Sequence, residues 1–478
     1  MTDRTTQWLA AAAALVILVT AAVIAPWHVE ISDGPNVVLI LSDDQSLDSI
    51  PFEPPTMPFL QGRVTDPDDH WIDFSNAYIS DPLCCPARAS ILAGQYAFNT
   101  GVRKNGSGKY FREDSTLVTW LDSVGYRTAL FGKYINQYPF GRSPYMPPGW
   151  DVWASKYHGP ASTVYFNYQL VEGEGEVVAY GGREDEYMPD VLADKAVTFI
   201  EESSPFEPFF LMYAPTAPHS PRVPPPRHEG DFVGVDLPKR PNVNEEDRSD
   251  KPQWVQELNK VSERKAEIFD YDQRNEYETL RGLDDDVQRI YKALADKGVL
   301  DDTIIIYLTD NGFSYGSHNW TAKRCPYEEC IATPMYVRVP GKPARTVTTP
   351  VSNVDLAPTI AALAGVTPGL PEDGMDLGPL LSGGEDALPR PGVLLEWPGD
   401  PEIPAYWGLR TQDFLWVEYS TGEKELYDMT GVLGDADPWQ MENRVGNRAY
   451  TKLELELAAQ LREMLPTGAT VPPPPFVP

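Results

Sequence analysis

Basic residues are scarce in this chain: its 478 residues hold 39 Lys and Arg against 70 Asp and Glu, a formal net charge of −31. No basic stripe is present that would neutralise a run of phosphates, which excludes a nucleic-acid binder. The deficit also bears on small anionic substrates. A protein this acidic repels an anion at long range, so a site for one must carry its own positive charge, from a metal ion and a few Lys, Arg and His. Cysteine is equally sparse. Cys84, Cys85, Cys325 and Cys330 are the only four, too few for a disulfide framework. Cys325 and Cys330 either close a small loop in an oxidising compartment or stay as two buried thiols. Internal repeats are absent.

Proline is the opposite case. Its 47 residues are about twice the usual share, which predicts many irregular surface loops. The length predicts one large domain and a smaller one. Leu9 to Ala25 is apolar except for Thr20, follows Arg4 and is flanked by Trp8 and Trp27. Residues 1–27 therefore read as a cleaved signal peptide or as a membrane anchor tethered through residues 8–27. Under either reading the body is exported.

Short apolar runs at Asn36–Leu41, Thr128–Phe131, Phe209–Tyr213 and Thr303–Leu308 read as buried parallel strands. Helical stretches alternate with them, at Ser115–Val124, Met188–Glu202, Leu280–Lys297 and Val354–Ala364. This alternation predicts an α/β fold, a large and mostly parallel sheet sandwiched by helices, spanning about residues 33–390. Arg222 to Lys260 is proline-rich and charged and is expected to be a long surface loop. Beyond Pro389, Gly392–Glu396, Tyr406–Thr411, Phe414–Tyr419 and Lys424–Asp428 read as short antiparallel strands. With a closing helix at Lys452–Leu465 they form a small α+β subdomain over residues 391–466, followed by a proline-rich tail, 467–478.

Active sites of open α/β sheets lie beyond the carboxyl ends of the strands. Two predicted strands end there in oxygen-rich pairs, Asp43-Asp44 and Asp310-Asn311, hard ligands suited to calcium or magnesium. A lone Asp-Asp pair is usually a cap or a solvated turn; two such pairs at equivalent strand ends are harder to dismiss. Pro82-Leu-Cys84-Cys85-Pro86-Ala-Arg88 leads into a helix that ends at Gly94, with Pro86 placed as its first residue. Cys84 then lies at a helix N-terminus, which favours an anion, and Arg88 lies one turn further along the same face. Lys133, His219, His318 and Lys323 supply cationic and proton-transfer groups near sheet ends. Taken singly, each reads more readily as a solvated or core residue.

Together these motifs resemble the type I, formylglycine-dependent sulfatases of the alkaline phosphatase superfamily. Cys84-x-Pro86-x-Arg88 is similar to the signature read by formylglycine-generating enzymes. Ser-Asp43-Asp44-Gln, Gly-Lys133-Tyr, Ala-Pro-His219-Ser-Pro and Thr-Asp310-Asn311-Gly follow that family's order. Cys-Cys-Pro-Ala-Arg-Ala-Ser-Ile-Leu, Gly-Lys133-Tyr-Ile-Asn-Gln-Tyr138 and Tyr165-Phe-Asn-Tyr168 are most similar to the N-acetylglucosamine-6-sulfatase branch. The resemblance implies an alkaline phosphatase-like fold, a sulfated glycan substrate and 3-oxoalanine (formylglycine) made from Cys84 by a maturation enzyme. It implies Ca2+, ahead of Mg2+, on Asp43, Asp44, Asp310, Asn311 and position 84. Arg88 would steady the hydrated aldehyde, Lys133 and Lys323 neutralise sulfate oxygens, and His219 serve the leaving alcohol. Three departures stand out: Ile135 replaces a His that many members carry two residues after the lysine, Ala93 replaces the common Thr before Gly94, and Cys325 and Cys330 follow Lys323. The competing readings are a phosphomonoester or phosphodiester hydrolase of the same superfamily, and an unmatured, membrane-tethered glycan-binding protein.

Overall fold

The computed structural model describes residues 32–50, 52–158, 163–384, 387–471 and 473. The expected signal or anchor segment and half of the proline-rich tail lie outside these residues. Among the described residues, no helix is long and apolar enough to cross a membrane.

Ten strands form the main sheet: β1 (Asn36–Ser42), β2 (Trp71–Phe74), β3 (Arg127–Gly132), β4 (Val152–Lys156), β5 (Gln169–Glu172), β6 (Glu176–Ala179), β7 (Phe209–Ala214), β8 (Thr303–Thr309), β9 (Met335–Arg338) and β10 (Arg345–Val347). Their order is β10-β2-β9-β8-β1-β7-β3-β4-β5-β6. The central run β8-β1-β7-β3-β4 is parallel throughout. Antiparallel pairs appear only towards the margins, at β8–β9, β9–β2, β4–β5 and β5–β6. The apolar runs lie in the centre because a parallel strand is covered on both faces.

Alternation along β1 shows the layering directly. Val37, Leu39 and Leu41 pack on one face with Ala89, Leu92 and Ile360, from helices α1 (Cys84–Ala93) and α4 (Leu356–Leu363). Val38 and Ile40 point the other way, towards Leu192 and Leu283 of α2 (Met188–Glu202) and α3 (Glu263–Lys297). Each such fully buried aliphatic side chain stabilises the fold by about 1.5–3 kcal/mol. Helix α3 begins well before the expected Leu280. Ser262 caps it by accepting from Lys265 N, and Gly298 closes it in the left-handed conformation at φ 77°.

A separate four-stranded antiparallel sheet follows, with β11 (Val393–Trp397), β12 (Tyr406–Arg410), β13 (Phe414–Tyr419) and β14 (Lys424–Asp428) in sequence order. One face packs on α5 (Thr451–Met464) through Leu394, Leu409, Trp416, Leu457 and Leu461. The other carries Leu395, Leu415 and Val417 against Tyr78, Leu83, Trp320 and Tyr327 of the main body. Cys325 and Cys330 are bridged, with Cα atoms 5.7 Å apart. The segment 222–260 departs from the surface loop expected of it. Phe232 and Asn242 are fully buried within it, and Arg240 pairs with Asp48 at 2.7 Å and Glu329 at 2.9 Å.

Candidate active site

Four neighbouring parallel strands, β8, β1, β7 and β3, end on one edge of the sheet. Asp310 and Asn311 follow β8, Asp43 and Asp44 follow β1, His219 lies in the loop after β7, and Lys133 follows β3 directly. Residues as much as 267 apart in sequence, such as Asp44 and Asn311, thus meet because their strands are neighbours. Gly132 permits the closest approach. Its φ is 128°, and a Cβ there would stand 2.0 Å from the Ala214 carbonyl oxygen of β7. No other residue fits that position.

Helix α1 brings the nucleophile candidate to this edge. It starts at Cys84 itself, two residues earlier than the expected Pro86, and ends at Gly94 with φ 66°. Cys84 is fully buried. Its Sγ lies 3.6 Å from Asp43 Oδ1 and 3.6 Å from Asp44 Oδ1, and Lys323 Nζ donates to it at 2.7 Å. Lys323 also pairs with Asp44. Arg88 faces the carboxylates and not the sulfur. Its Nε donates to Asp310 Oδ2 at 2.7 Å, its NH1 to the Lys133 carbonyl at 2.7 Å, and its NH2 lies 3.6 Å from Asp43 Oδ2. Lys133 Nζ donates to Asp43 Oδ2 at 2.6 Å. His219 Nε2 stands 3.5 Å from Asp44 Oδ2.

Burial and charge compete here. Desolvation pushes Asp43 upward, but Lys133, His219, Arg88 and Lys323 hold it well below the usual carboxylate range. Asp44 is lowered too, against burial, by Lys323 and His219. Asp310 moves up through burial and the Asp43 charge, although Arg88 and Lys133 oppose this. The Cys84 thiol is pushed well above its ordinary value by burial, which Lys133 and Lys323 only partly offset. A thiol kept protonated is a poor nucleophile, so the sulfur as encoded is not suited to attack an ester.

The donor set fits a hard divalent cation. Ligand atoms of Asp43, Asp44, Cys84 and His219 lie within 4.8 Å of one another, and among the described residues this is the one such group of His, Cys, Asp and Glu. Asn311 adds the decisive atom. Its Oδ1 is buried without any hydrogen-bond partner, while its Nδ2 donates to Asp44 Oδ1 at 2.7 Å and to the Gly312 carbonyl at 3.0 Å. An orphaned amide oxygen costs about 1–3 kcal/mol unless something accepts its lone pair, and oxygen-rich sites of this kind suit Ca2+. The hard oxygens of Asp43, Asp44, Asp310 and Asn311 suit such a cation better than the imidazole of His219, whose Nε2 stands 3.5 Å from Asp44 Oδ2.

His318 is placed elsewhere. It is fully buried, with Nδ1 2.7 Å from Glu245 Oε2 and Nε2 3.2 Å from Asn242 Nδ2. Its backbone N–H donates to the Asn242 carbonyl at 2.7 Å, in a left-handed turn with φ 52°. That turn aims the ring into the 222–260 segment, so the structure does not bring it to Cys84. Conversely, Asn105 and Lys156 near the site carried no sequence signal, and Tyr165 entered only through its motif, without a role. Asn105 Oδ1 accepts from Cys85 N at 3.2 Å. Tyr165 OH donates to the His219 carbonyl at 2.6 Å and fixes its loop. Lys156, on β4, is lowered to about 8 by burial and by the neighbouring Lys133. A lone Lys in a strand of ordinary composition gives no hint of this.

Known proteins are similar to this chain in sequence and in fold. A family model described as Sulfatase matches residues 35–366, and one described as N-sulphoglucosamine sulphohydrolase, C-terminal, matches residues 316–466. N-acetylglucosamine-6-sulfatase of Homo sapiens is 33% identical over 460 residues, 86% of this chain and 80% of its own length. N-acetylglucosamine-6-O-sulfatase of Bacteroides thetaiotaomicron is 28% identical over 507 residues, 90% of this chain and 86% of its own. A structure solved in complex with its substrate D-glucosamine-2-N,6-O-disulfate superposes with a TM-score of 0.76 at 26% identity, covering 90% of this chain and 97% of that one. The phosphonate monoester hydrolase of Agrobacterium radiobacter shares the fold, at a TM-score of 0.70 and 22% identity over 90% of this chain and 95% of its own. With its α/β fold, its small C-terminal subdomain and these relatives, the chain belongs to the sulfatase family and is a sulfuric ester hydrolase.

Proposed function

We propose that this sulfatase releases sulfate from a sulfated carbohydrate, with a 6-O-sulfated amino sugar as the favoured class. The nucleophile is formylglycine made from Cys84 by a formylglycine-generating enzyme, and Ca2+ is held by Asp43, Asp44, Asp310, Asn311 and the side chain at position 84. The named N-acetylglucosamine-6-sulfatase relatives support the substrate class. One observation carries the site: a fully buried Cys84 at a helix N-terminus touches Lys323 and both β1 carboxylates. Export, as a secreted or N-terminally tethered protein, belongs to the same reading.

The hydrated aldehyde supplies an oxygen nucleophile, and the cation would polarise a sulfate oxygen. The rest falls to encoded side chains. Lys323 and Lys133 reach position 84 and Asp43 respectively, so sulfate oxygens gaining charge in the transition state meet two preplaced ammonium groups. Arg88, wholly buried, fixes Asp310 and Asp43 in place. The Ser220 carbonyl accepts from His219 Nδ1–H, so in the imidazolium form Nε2–H is the group that gives its proton to the alcohol as the bond to sulfur breaks, which leaves the neutral ring.

The test joins mass spectrometry to kinetics. In protein matured in its native host, the peptide carrying residue 84 should have the mass of the aldehyde and not of cysteine. Cys84→Ala should fold normally and lose about 10^4-fold or more of sulfate release from an aryl sulfate. An ordinary thiol at position 84 in active protein, or a variant at the wild-type rate, would overturn the reading.

A further inference from the structure

The acidity of this chain is not spread evenly. Between Asp81 and Glu113 there is no acidic residue at all, against Arg88, Arg103, Lys104, Lys109 and Arg112. Between Asp122 and Asp151 there is again none, against Arg127, Lys133 and Arg142. Residues 82–150 thus carry eight basic and three acidic side chains, in a protein with a net charge of −31. Four of the eight do not serve the nucleophile, are not buried in the core, and lie together.

Folding packs the two acid-free stretches on each other beside Cys85. Asn105 Oδ1 accepts from Cys85 N at 3.2 Å, and a Cβ on Gly108 would stand 2.5 Å from the Asn136 carbonyl oxygen and 2.7 Å from the Phe140 ring. Phe111 meets Tyr134, the residue after Lys133, with ring centroids 6.3 Å apart. Lys109, Tyr110 and Arg112 are exposed on the outside of this layer, with Tyr110 at 61%. Lys109 Nζ stands 5.1 Å over the Tyr110 ring. Arg142 lies 4.3 Å from the Tyr145 ring and shares Glu113 with it. Two acids sit among them, Glu113 taken by Arg142 and Tyr145 and Asp114 3.6 Å from Arg112 with both side chains mostly in solvent, so the tract keeps a small positive balance within an acidic surface. Lys104 extends the layer towards Asp400, the partner of Arg324 beside Lys323. The layer therefore runs from the exposed face towards the loop that carries Lys323 and Arg324.

Resting on the sulfatase reading above, we propose that this layer, centred on Lys109, Tyr110, Arg112 and Arg142, is a docking tract for the rest of a polyanionic glycan chain whose sulfated sugar occupies the site. Charge complementarity selects the occupant. Elsewhere the acidic surface repels such a chain, so a local positive track is needed to bring it in. The exposed aromatic face of Tyr110 offers an apolar surface to a sugar ring, and the basic side chains pair with its sulfates and carboxylates. An aryl sulfate is too short to touch it.

The test uses the full mature chain with two probes: a sulfated hexasaccharide of alternating glucosamine and uronic acid, and an aryl sulfate. Lys109→Glu/Arg112→Glu should raise the Kd and the KM for the hexasaccharide about tenfold or more at low salt. It should also flatten their salt dependence and leave kcat/KM for the aryl sulfate unchanged. Lys452→Glu, on the far helix α5 where Lys452 is 90% exposed, should alter neither. Should the double reversal fold poorly, Lys109→Ala/Arg112→Ala should show a smaller rise in the same direction. Unchanged hexasaccharide binding in either double variant would overturn the proposal, as would an equal loss in Lys452→Glu. Aryl sulfate turnover without hexasaccharide binding would overturn it while leaving the sulfatase reading intact. Hexasaccharide binding without any sulfate release would do the reverse.

Discussion

Acidic residues are buried at the carboxyl edge of the main sheet and again in the four-stranded sheet, and the two sets are satisfied in opposite ways. In the smaller sheet, Glu425 accepts from the phenols of Tyr327 at 2.8 Å, Tyr419 at 2.5 Å and Tyr427 at 2.5 Å. Glu396 accepts from the backbone of Ala97 at 2.6 Å and Phe98 at 2.9 Å. The groups that hydrogen-bond to them are neutral, Lys251 and Arg103 oppose the shift only through space, and burial raises both. At the edge of the main sheet the partners are Lys133, Lys323, Arg88 and His219, and Asn311 Oδ1 is left over. Burial of an acid is therefore not itself a sign of chemistry. A neutral, completed shell marks a carboxylate that holds the fold together; a cationic, incomplete one marks a carboxylate awaiting a ligand.

Lys323 offers the sharpest way to break this comparison. It touches both Cys84 and Asp44, whereas Lys251 acts on Glu425 only through space, its Nζ 5.3 Å over the Tyr427 ring. Lys323→Ala should lower kcat for an aryl sulfate by about 10^2–10^3-fold while the protein melts within a few degrees of wild type. A near-normal turnover would remove Lys323 from the site and weaken the reading of its shell as catalytic.

Removing the cation tests the incomplete shell from the other side. Exhaustive chelation should abolish turnover and also lower Tm by a few degrees, because a ligand held only by the folded state at 100 times its Kd stabilises by about 2.7 kcal/mol. Added Ca2+ should restore both, and the Glu425 shell should be indifferent to either treatment. Superimposable melting curves with and without chelator would count against a cation on Asp43, Asp44, Asp310 and Asn311.

Much of this arrangement was readable before any coordinates. Short apolar runs ending in Asp43-Asp44 and Asp310-Asn311 carry the core of the sheet and its polar edge in the same few residues, so periodicity finds both together. The four strands of the small sheet were equally plain, since each alternates between a face on α5 and a face on the main body. Three features escaped for physical reasons. The first half of α3, Glu263 to Thr279, is mostly charged and presents little apolar periodicity, yet its residues are good helix formers. The 222–260 segment is polar because it buries ion pairs such as Arg240 with Asp48 and Glu329, which composition reads as solvent exposure. His318 sits in a motif-bearing loop, but one left-handed residue turns its ring away, and no linear pattern records that.

The smallest effect expected concerns Glu396, which burial pushes up to about 7 in the vicinity of Asp81. A carboxylate whose folded value exceeds its unfolded one, about 4.3, binds its proton more tightly when folded. The stability it contributes is complete below the unfolded value and is lost as pH rises through about 7. Glu396→Gln cannot titrate, and its amide oxygen still accepts from one of the two backbone N–H groups. The difference in Tm between variant and wild type should therefore move in favour of the variant from pH 5 to pH 8. Asp81 remains buried and raised, so the variant's own profile should become shallower but not flat. Aryl sulfate turnover per folded molecule should stay the same, because the neutral shell around Glu396 holds a strand and touches no reacting atom. Parallel Tm profiles for the two proteins would show that Glu396 does not titrate in this range.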